Sequence, residues 1–134
     1  MYGSLNISTS ALIAQRTRMN VISANIANKD VLLNDRGEYE PFRRRVALLA
    51  PGDPASGSEG GVHVQEIMLD ESPLIMRYEP HSPHANADGY VGYPNINPVI
   101  EQMNAMEAAR SYEANISAVE ATKSMMSAAL RILG

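Results

Sequence analysis

Apolar residues near the start of the chain recur at a helical spacing. Every seventh position carries a large apolar side chain, and a further isoleucine falls between two of them: Leu5, Leu12, Met19 and Ile26, with Ile22. A seam of this period predicts one long amphipathic helix. Polar residues before the seam can cap its start, and Asn28 tolerates the left-handed turn that ends many helices. We therefore expect a helix from about Ser4 to Asn28.

A second and longer helical pattern fills the end of the chain. Asn97 is a good N-cap, Pro98 suits the first helical position, and no further glycine or proline occurs before Gly134. One stripe alternates steps of four and three residues: Tyr112, Ile116, Val119, Lys123, Met126, Leu130 and Leu133. A stripe beside it is rich in small residues: Ala114, Ala118, Ala121, Met125, Ala128 and Ile132. Small side chains at this spacing allow another helix to approach closely.

The two helices are expected to pair as a coiled-coil-like hairpin. The side chains predicted to face each other are Leu12, Met19, Ile22 and Ile26 on the first helix and Ile116, Val119, Met126 and Leu130 on the second. These stripes are too long for the short middle of the chain to cover. Periodicity alone leaves two possibilities open, a monomeric antiparallel hairpin of helices or assembly with neighbouring subunits.

Between the helices the composition changes to proline, glycine, serine and β-branched residues. This change predicts a mainly α protein with a small antiparallel β unit (α+β). The chain then divides into an N-terminal helix and connector at 1–36, the β unit at 37–97 and the C-terminal helix at 98–134.

The β unit is predicted to contain several short strands, near 45–50, 62–70, 74–78 and 90–93. The apolar alternation slips phase between Val64 and Ile67, which predicts a β-bulge or a twist in this strand. Residues 51–61 are expected to form a flexible loop because they combine proline, glycine and serine. Asp88 and Gly89 form a typical turn pair.

Composition and charge narrow the possible functions. The hydrophobic fraction is 45%, but it includes 8 Met, 1 Phe and no Trp. Such side chains suit helix packing better than a compact core, so parts of the chain are expected to need a partner. The net charge is −4, and the only basic run is Arg43–Arg45. We interpret that run as a solvated strand end or a local ion-pair site, and we expect no nucleic-acid partner.

Candidate catalytic and metal-binding residues are few. The chain has no cysteine, which removes disulfides and thiolate ligands. His81, His84 and Asp88 have a spacing that could ligate a metal, but they fall on proline-rich turn sequence, so we predict no metal site. No nucleophile or phosphate-binding motif occurs, and we expect neither enzymatic activity nor a cofactor. No apolar run is long enough to span a membrane, and no cleavable signal segment is recognised.

Several separated segments together resemble bacterial flagellar rod and hook proteins. The N-terminal segment carries the most recognisable stretch, Asn25, Ile26, Ala27 and Asn28. The matching C-terminal positions are Gly89, Tyr90, Pro94, Asn95, Asn97, Tyr112, Glu113 and Asn115. The short middle and Glu71-Ser72-Pro73 make a proximal rod subunit the nearest likeness. The chain departs from the family at Lys29–Gly37, where the family usually has threonines.

The resemblance implies a structural role without catalysis or cofactor. Proteins of this family are exported through the flagellar type III apparatus with their ends unfolded and without a cleaved signal, and their terminal helices fold as they assemble with copies of themselves and other rod proteins. They form a tubular rod in the basal body that crosses the periplasm and transmits torque. The expected assembly interface comprises Leu5, Leu12, Met19, Ile22, Ile26, Tyr112, Ile116, Val119, Met126 and Leu130. The alternatives are another axial rod or hook subunit, or a monomeric helical-hairpin module or effector exported by the same route.

The asparagines at the helix ends carry a further prediction. Asparagine is a poor residue inside a helix and a good one at its end. We expect Asn25, Asn28, Asn95 and Asn97 to tie the helix ends to the start of the β unit. The alternative is that each asparagine only caps its own helix.

Overall fold

The computed structural model describes residues 2–54 and 57–134. Two long helices enclose four strands in the order α1 (Tyr2–Ala27), β1 (Arg45–Asp53), β2 (Ser58–Leu69), β3 (Ile75–Tyr78), β4 (Tyr90–Tyr93) and α2 (Pro98–Leu133). The prediction of a mainly α fold with a small β unit is confirmed. The start of α2 is also confirmed, since the Asn97 side chain accepts a hydrogen bond from the Val99 amide and Pro98 opens the helix.

The strands form two separate antiparallel hairpins. β1 pairs with β2, and β3 pairs with β4. The expected bulge is present: Leu48 lies opposite Glu66 and Leu49 opposite Val64, which leaves Gln65 between them. The turn at Gly89 is also as predicted, with φ at 86°.

The flexible loop predicted for 51–61 is wrong for most of its length. Pro51–Asp53 continue β1, and Ser58–Gly61 begin β2; Ala55 and Ser56 lie outside the described residues. The hairpin extends this far because the first part of β2 packs on α1. The Ser10 Oγ accepts a hydrogen bond from the Val62 amide at 3.1 Å. Main-chain pairing and docking on a helix therefore outweigh the local preference of glycine and serine for loops.

At Gly61 this hairpin lies close to α1. Its φ is +92°, and a Cβ placed there would lie 2.6 Å from the Ser10 Oγ. Only glycine accommodates both the left-handed backbone and this contact. The hairpin of β1 and β2 therefore lies against α1.

The helices α1 and α2 run antiparallel. Asn25 contacts Glu101, and Arg18 contacts Glu107. The residue numbers of each contacting pair therefore add up to 126 or 125, and this sum defines the register of the two helices. By this register Leu12 lies opposite about residue 114. The expected pairing with Met126 and Leu130 is therefore wrong. The apolar stripe on α2 was too regular to reveal the register, which these polar contacts indicate.

The core is thin. The buried hydrophobic side chains among the described residues are Ala14, Val21, Ile22, Val91, Ile96 and Ala108. The predicted seam residues Leu5, Leu12, Met19 and Ile26 are only half-buried, whereas Ser10 and Asn25 are buried. α1 packs against both the hairpin and α2, so its burial does not follow a single heptad stripe.

Candidate functional site

A buried polar cluster joins the C-terminal end of α1, the start of β1 and the first turn of α2. Asn25 is fully buried in the last turns of α1. Its side-chain Nδ2 donates to the Arg45 carbonyl at 2.8 Å, and its Oδ1 accepts from the Arg45 amide at 2.9 Å. This bidentate arrangement pairs with the main chain as a neighbouring strand would. It attaches the helix to the first residue of β1.

Glu101 completes this cluster from α2. Its side chain is fully buried, and its Oε2 accepts a hydrogen bond from the Asn25 Nδ2 at 3.2 Å. The Arg44 Nε binds the other carboxylate oxygen of Glu101. A carboxylate is buried at low cost only when it is paired and hydrogen-bonded, and both conditions are met here.

Arg44 extends the cluster to the end of β2. Its guanidinium lies 3.6 Å from the Asp70 carboxylate, and its carbonyl accepts the Asp70 amide at 2.7 Å. The Asp70 Oδ1 in turn accepts the Ser72 amide at 2.8 Å. These hydrogen bonds, Ser72 first and then Arg44, hold the pKa of the Asp70 carboxyl below its ordinary value of 3.8.

The neighbouring arginines of the basic run also have structural partners. The Arg43 Nη1 donates to the Ser72 carbonyl at 2.8 Å. The Arg45 guanidinium lies over the Phe42 ring, 5.2 Å from its centroid. The interpretation of Arg43–Arg45 as a local ion-pair site is confirmed through Arg44. We refer to Asn25, Arg44, Arg45, Asp70 and Glu101 as the junction cluster.

The prediction for the asparagines is confirmed at one position only. Asn25 ties its helix to the β unit as expected. The Asn28 Nδ2 instead donates to the Ala24 carbonyl at 2.8 Å within its own helix end, and Asn97 caps α2. Asn95 is exposed and makes no side-chain hydrogen bond within the described parts of the chain. The difference is that Asn25 lies inside α1 on the face toward β1, whereas Asn28 lies past the helix end.

Along the helix pair, the apolar side chains of the first predicted α2 stripe are half-buried up to Met126, whereas Lys123 in the same stripe is exposed. Tyr112, Ile116 and Val119 share this intermediate exposure, whereas Leu130 is 68% exposed in the single chain. The second stripe is fully on the exposed side: Ala114, Ala118, Ala121, Met125, Ala128 and Ile132. The described residues of one chain therefore leave a second face of α2 uncovered.

The second hairpin is held to the connector after α1. The Tyr39 hydroxyl donates to the Gly92 carbonyl at 2.8 Å and accepts its amide at 3.1 Å. A Cβ at Gly92 would lie 2.8 Å from Leu74 and 3.1 Å from that hydroxyl. The Tyr39 ring also stacks on His84, with centroids 5.1 Å apart. His84 therefore has a packing role in this part of the fold.

Comparison with known proteins identifies the family. A family model described as flagella basal body rod protein matches residues 5–31. A second, described as flagellar basal body rod FlgEFG protein C-terminal, matches 87–132. The flagellar basal-body rod protein FlgC of Bacillus subtilis is 43% identical, covering 98% of this chain and 97% of its own length. The chain belongs to the FlgC family.

Further FlgC proteins show similar likeness. That of Buchnera aphidicola from Acyrthosiphon pisum is 38% identical over 95% of this chain and 93% of its own length. That of Salmonella typhimurium is 39% identical over 90% of this chain and 89% of its own length. As a FlgC-family member, the chain is a structural subunit of the proximal rod in the flagellar basal body. The relatives are named as rod proteins and not as enzymes.

The remaining FlgC motif residues lie in distinct parts of the fold. Gly89 turns the second hairpin, Tyr90 packs on the Tyr78 ring at 5.3 Å, and Pro94 is buried. On α2, Glu113 is exposed, and the Asn115 Nδ2 donates to the Ser111 carbonyl at 2.7 Å within the helix. Ile26 is half-buried and Ala27 exposed beside the junction cluster. These motif residues therefore shape turns and helix surfaces, and only Asn25 belongs to the junction cluster.

Glu101 and Ser10 were not predicted from the sequence, and for Arg44 an ion-pair role was considered but its partner was not. Glu101 carried a usable signal, because it lies seven residues before the buried Ala108 and so occupies the same face of α2. A charged residue in a seam position needs a partner, and Arg44 is supplied from the distant β unit. In the part of the chain that the structure describes, no group of side chains is arranged to hold a metal. No helix there has the length and apolarity needed to cross a membrane.

Proposed function

We propose that this chain polymerises through α1 and α2 with copies of itself and other rod proteins into a tube that transmits motor torque. The observation that carries the proposal is its unpartnered apolar surface. Among the described residues, 21 large hydrophobic side chains are exposed and only six hydrophobic side chains are buried. A single chain therefore leaves most of its apolar surface for neighbours.

The total surface area supports the same proposal. The chain exposes 9008 Å², whereas a compact monomer of 14.6 kDa would expose about 6,900 Å². The excess is typical of a protein that completes its core by association. Apolar side chains and small residues on two faces of α2 suit packing between neighbouring helices.

Within this assembly we assign the expected interface residues to two classes. Tyr112, Ile116 and Val119 would pack within the helix pair and stiffen it. The exposed stripe with Met125 would contact neighbouring subunits. The division into a core of 1–36 and 98–134 and an outer part at 37–97 belongs to the same proposal, as does delivery through the type III export apparatus.

The junction cluster would fix the angle between the tube of helices and the hairpin of β1 and β2. Asn25 reaches β1, Glu101 reaches α1, and Arg44 joins both to the end of β2, so a change of angle would break one buried and several part-buried hydrogen bonds. Buried polar groups that lose their partners cost more than exposed ones. A rod under torsional load would benefit from a joint that does not bend.

Charged substitutions on the two faces of α2 test the proposal. Ile116→Asp introduces a carboxylate between α1 and α2 and should weaken both folding and assembly. Met125→Asp changes a side chain that is 60% exposed in the single chain, so it should leave folding intact and abolish assembly. Ser127→Asp, at an exposed polar position two residues after Met125 and therefore on the other side of α2 from the exposed stripe, is the matched control.

The readouts are swimming in soft agar and the amount of this chain in isolated basal bodies. We expect Met125→Asp cells to be non-motile and Ser127→Asp cells to swim. Normal motility and normal basal-body content in the Met125→Asp cells would contradict assembly through this face.

A further inference from the structure

Two apolar surfaces at opposite ends of the molecule carry complementary charges. The first is the C-terminal end of α2, which we call the α2 tip and define as Leu130, Arg131, Ile132 and Leu133. Leu130 is 68%, Ile132 85% and Leu133 84% exposed. By the helix register, Tyr2 lies opposite about residue 124. No described residue of α1 therefore lies opposite the α2 tip.

The second surface is a shallow groove of about 440 Å³ at the open end of the first hairpin. We call it the hairpin groove and define it as Val46, Leu48, Met68, Leu69, Asp70 and Glu71. Met68 is 45% and Leu69 55% exposed, so its floor is apolar and reachable. Its rim is acidic.

The charges on the two surfaces are complementary. Arg131 is the only charged residue of the α2 tip, and Glu71 is an exposed acid on the groove rim. Within the described parts of the chain, neither residue forms an ion pair. An apolar helix end with one basic side chain thus meets an apolar groove with an acidic rim, an arrangement that sets the orientation of docking.

The two surfaces cannot meet within one chain. Leu69 pairs with Arg45, and Arg45 is bound to Asn25 beside Glu101. Leu130 lies 29 residues beyond Glu101 on α2, which is about 43 Å along a continuous helix. The groove and the tip therefore lie at opposite ends of the helix pair, and only another molecule can supply the missing surface.

We propose that the α2 tip of one subunit docks in the hairpin groove of a second copy of this chain. This contact rests on the proposed assembly of the chain into a rod, and it specifies how one subunit is oriented relative to the next. Two different patches that pair head to tail make a heterologous interface, which propagates along an axis when it does not close into a ring. Each copy offers one tip and one groove, so the contact repeats from subunit to subunit.

Crosslinking tests the contact directly, because the natural chain contains no cysteine. Met68→Cys and Leu130→Cys are introduced together, cells of the source bacterium are grown, and isolated basal bodies are treated with a short bis-maleimide. We expect covalent oligomers of this chain, from dimers upward. The matched control combines Leu130→Cys with Asp88→Cys, which lies in an exposed turn outside the groove, and should give only monomers.

Charge exchange sharpens the test. In the double-cysteine background, Glu71→Arg or Arg131→Glu alone should lower the oligomer yield at least about threefold, because like charges then face each other. The two changes together should restore the yield. Failure of the pair to restore it would contradict the assigned orientation.

Other outcomes separate this contact from the assembly proposal. Normal content of the double-cysteine chain in basal bodies, with no crosslink, overturns the docking contact and leaves the proposed rod assembly standing. A crosslink to a different protein overturns the choice of a second copy. Dimers from Leu130→Cys alone overturn it as well, because two tips would then meet each other. Absence of the unmodified chain from basal bodies would instead overturn the proposed function.

Discussion

The two ends of the helix pair are built in opposite ways. At one end, Asn25 and Glu101 are fully buried and hydrogen-bonded to each other and to the β unit. At the other end, Leu130 and Ile132 project large apolar side chains into solvent. The first end is completed within the chain and can resist bending. The second end is left incomplete, as expected of a surface that another subunit covers.

The largest effect should come from leaving the buried carboxylate without its cation. Arg44→Met removes the ion pair to Glu101, whose side chain is 1% exposed, and should destabilise the chain by about 3 kcal/mol. Urea denaturation followed by circular dichroism measures the change. Arg44→Met combined with Glu101→Gln should recover much of the loss. If the double variant is as unstable as the single one, the ion pair is not the cause.

Two asparagines a single helical turn apart should differ in effect. Asn25→Ala leaves the Arg45 amide and carbonyl without their side-chain partner and should cost about 2 kcal/mol. Asn28→Ala loses only a local bond to Ala24 and should cost about 1 kcal/mol or less. We further expect Asn25→Ala cells to lose motility in viscous medium, where load is high. Equal stability and equal swimming of the two variants would contradict the proposal that Asn25 fixes the angle between the helices and the β unit.

The contact between α1 and the first hairpin can be tested with two glycines. Both have positive φ, but only Gly61 is crowded, by Ser10. Gly61→Ala should cost about 2 kcal/mol from strain and overlap. Gly57→Ala has open space and should cost about 1 kcal/mol from backbone strain alone. Thermal unfolding of both purified variants measures the difference, and equal costs would mean that the hairpin moves freely on α1.

At the other end of the molecule, polar substitutions should barely change folding. Leu130→Ser and Ile132→Ser affect side chains that are already exposed, so the free energy of unfolding should change by no more than about 0.5 kcal/mol. Incorporation into basal bodies should nevertheless fall. A large loss of monomer stability would mean that the α2 tip belongs to the fold of the single chain.

The smallest effect concerns acid stability at the junction cluster. Hydrogen bonds from Ser72 and then Arg44 lower the pKa of Asp70 in the folded state below 3.8. A lowered folded-state pKa contributes stability above the unfolded value, and this contribution is lost as the pH falls through the folded pKa. Asp70→Asn should therefore flatten the decline in stability below about pH 4.

Much of the fold could be predicted from local patterns. The start of α2 follows from Asn97 and Pro98, which satisfy helix-end geometry with no help from distant residues. The bulge near Gln65 follows from the alternation of side chains, since one extra residue reverses the face of those after it. The extent of the first hairpin could not be predicted, because the residues after Pro51 have weak strand propensity and are held by docking on α1.

The candidate site likewise contains residues whose roles could be predicted from the sequence and residues whose roles could not. The signal for Asn25 was an asparagine near the end of a predicted helix and close to the β unit, because that residue type is costly inside a helix without a partner. The prediction that Asn28 also ties its helix to the β unit was wrong, since a residue at a helix end can bond locally. Nothing in the sequence around Arg44 indicates that its partner lies 57 positions away.

The sequence by itself determined two long helices, several of the short strands and a shortage of bulky core side chains, because helix caps and apolar periodicity act over a few residues. It also determined the membership of a rod-protein family through its separated motifs. Only the tertiary structure decided the register of α1 on α2, the docking of the hairpin and the partners of Glu101. Those features depend on hydrogen bonds and close contacts between distant residues, and such bonds have direction and distance that no local pattern encodes.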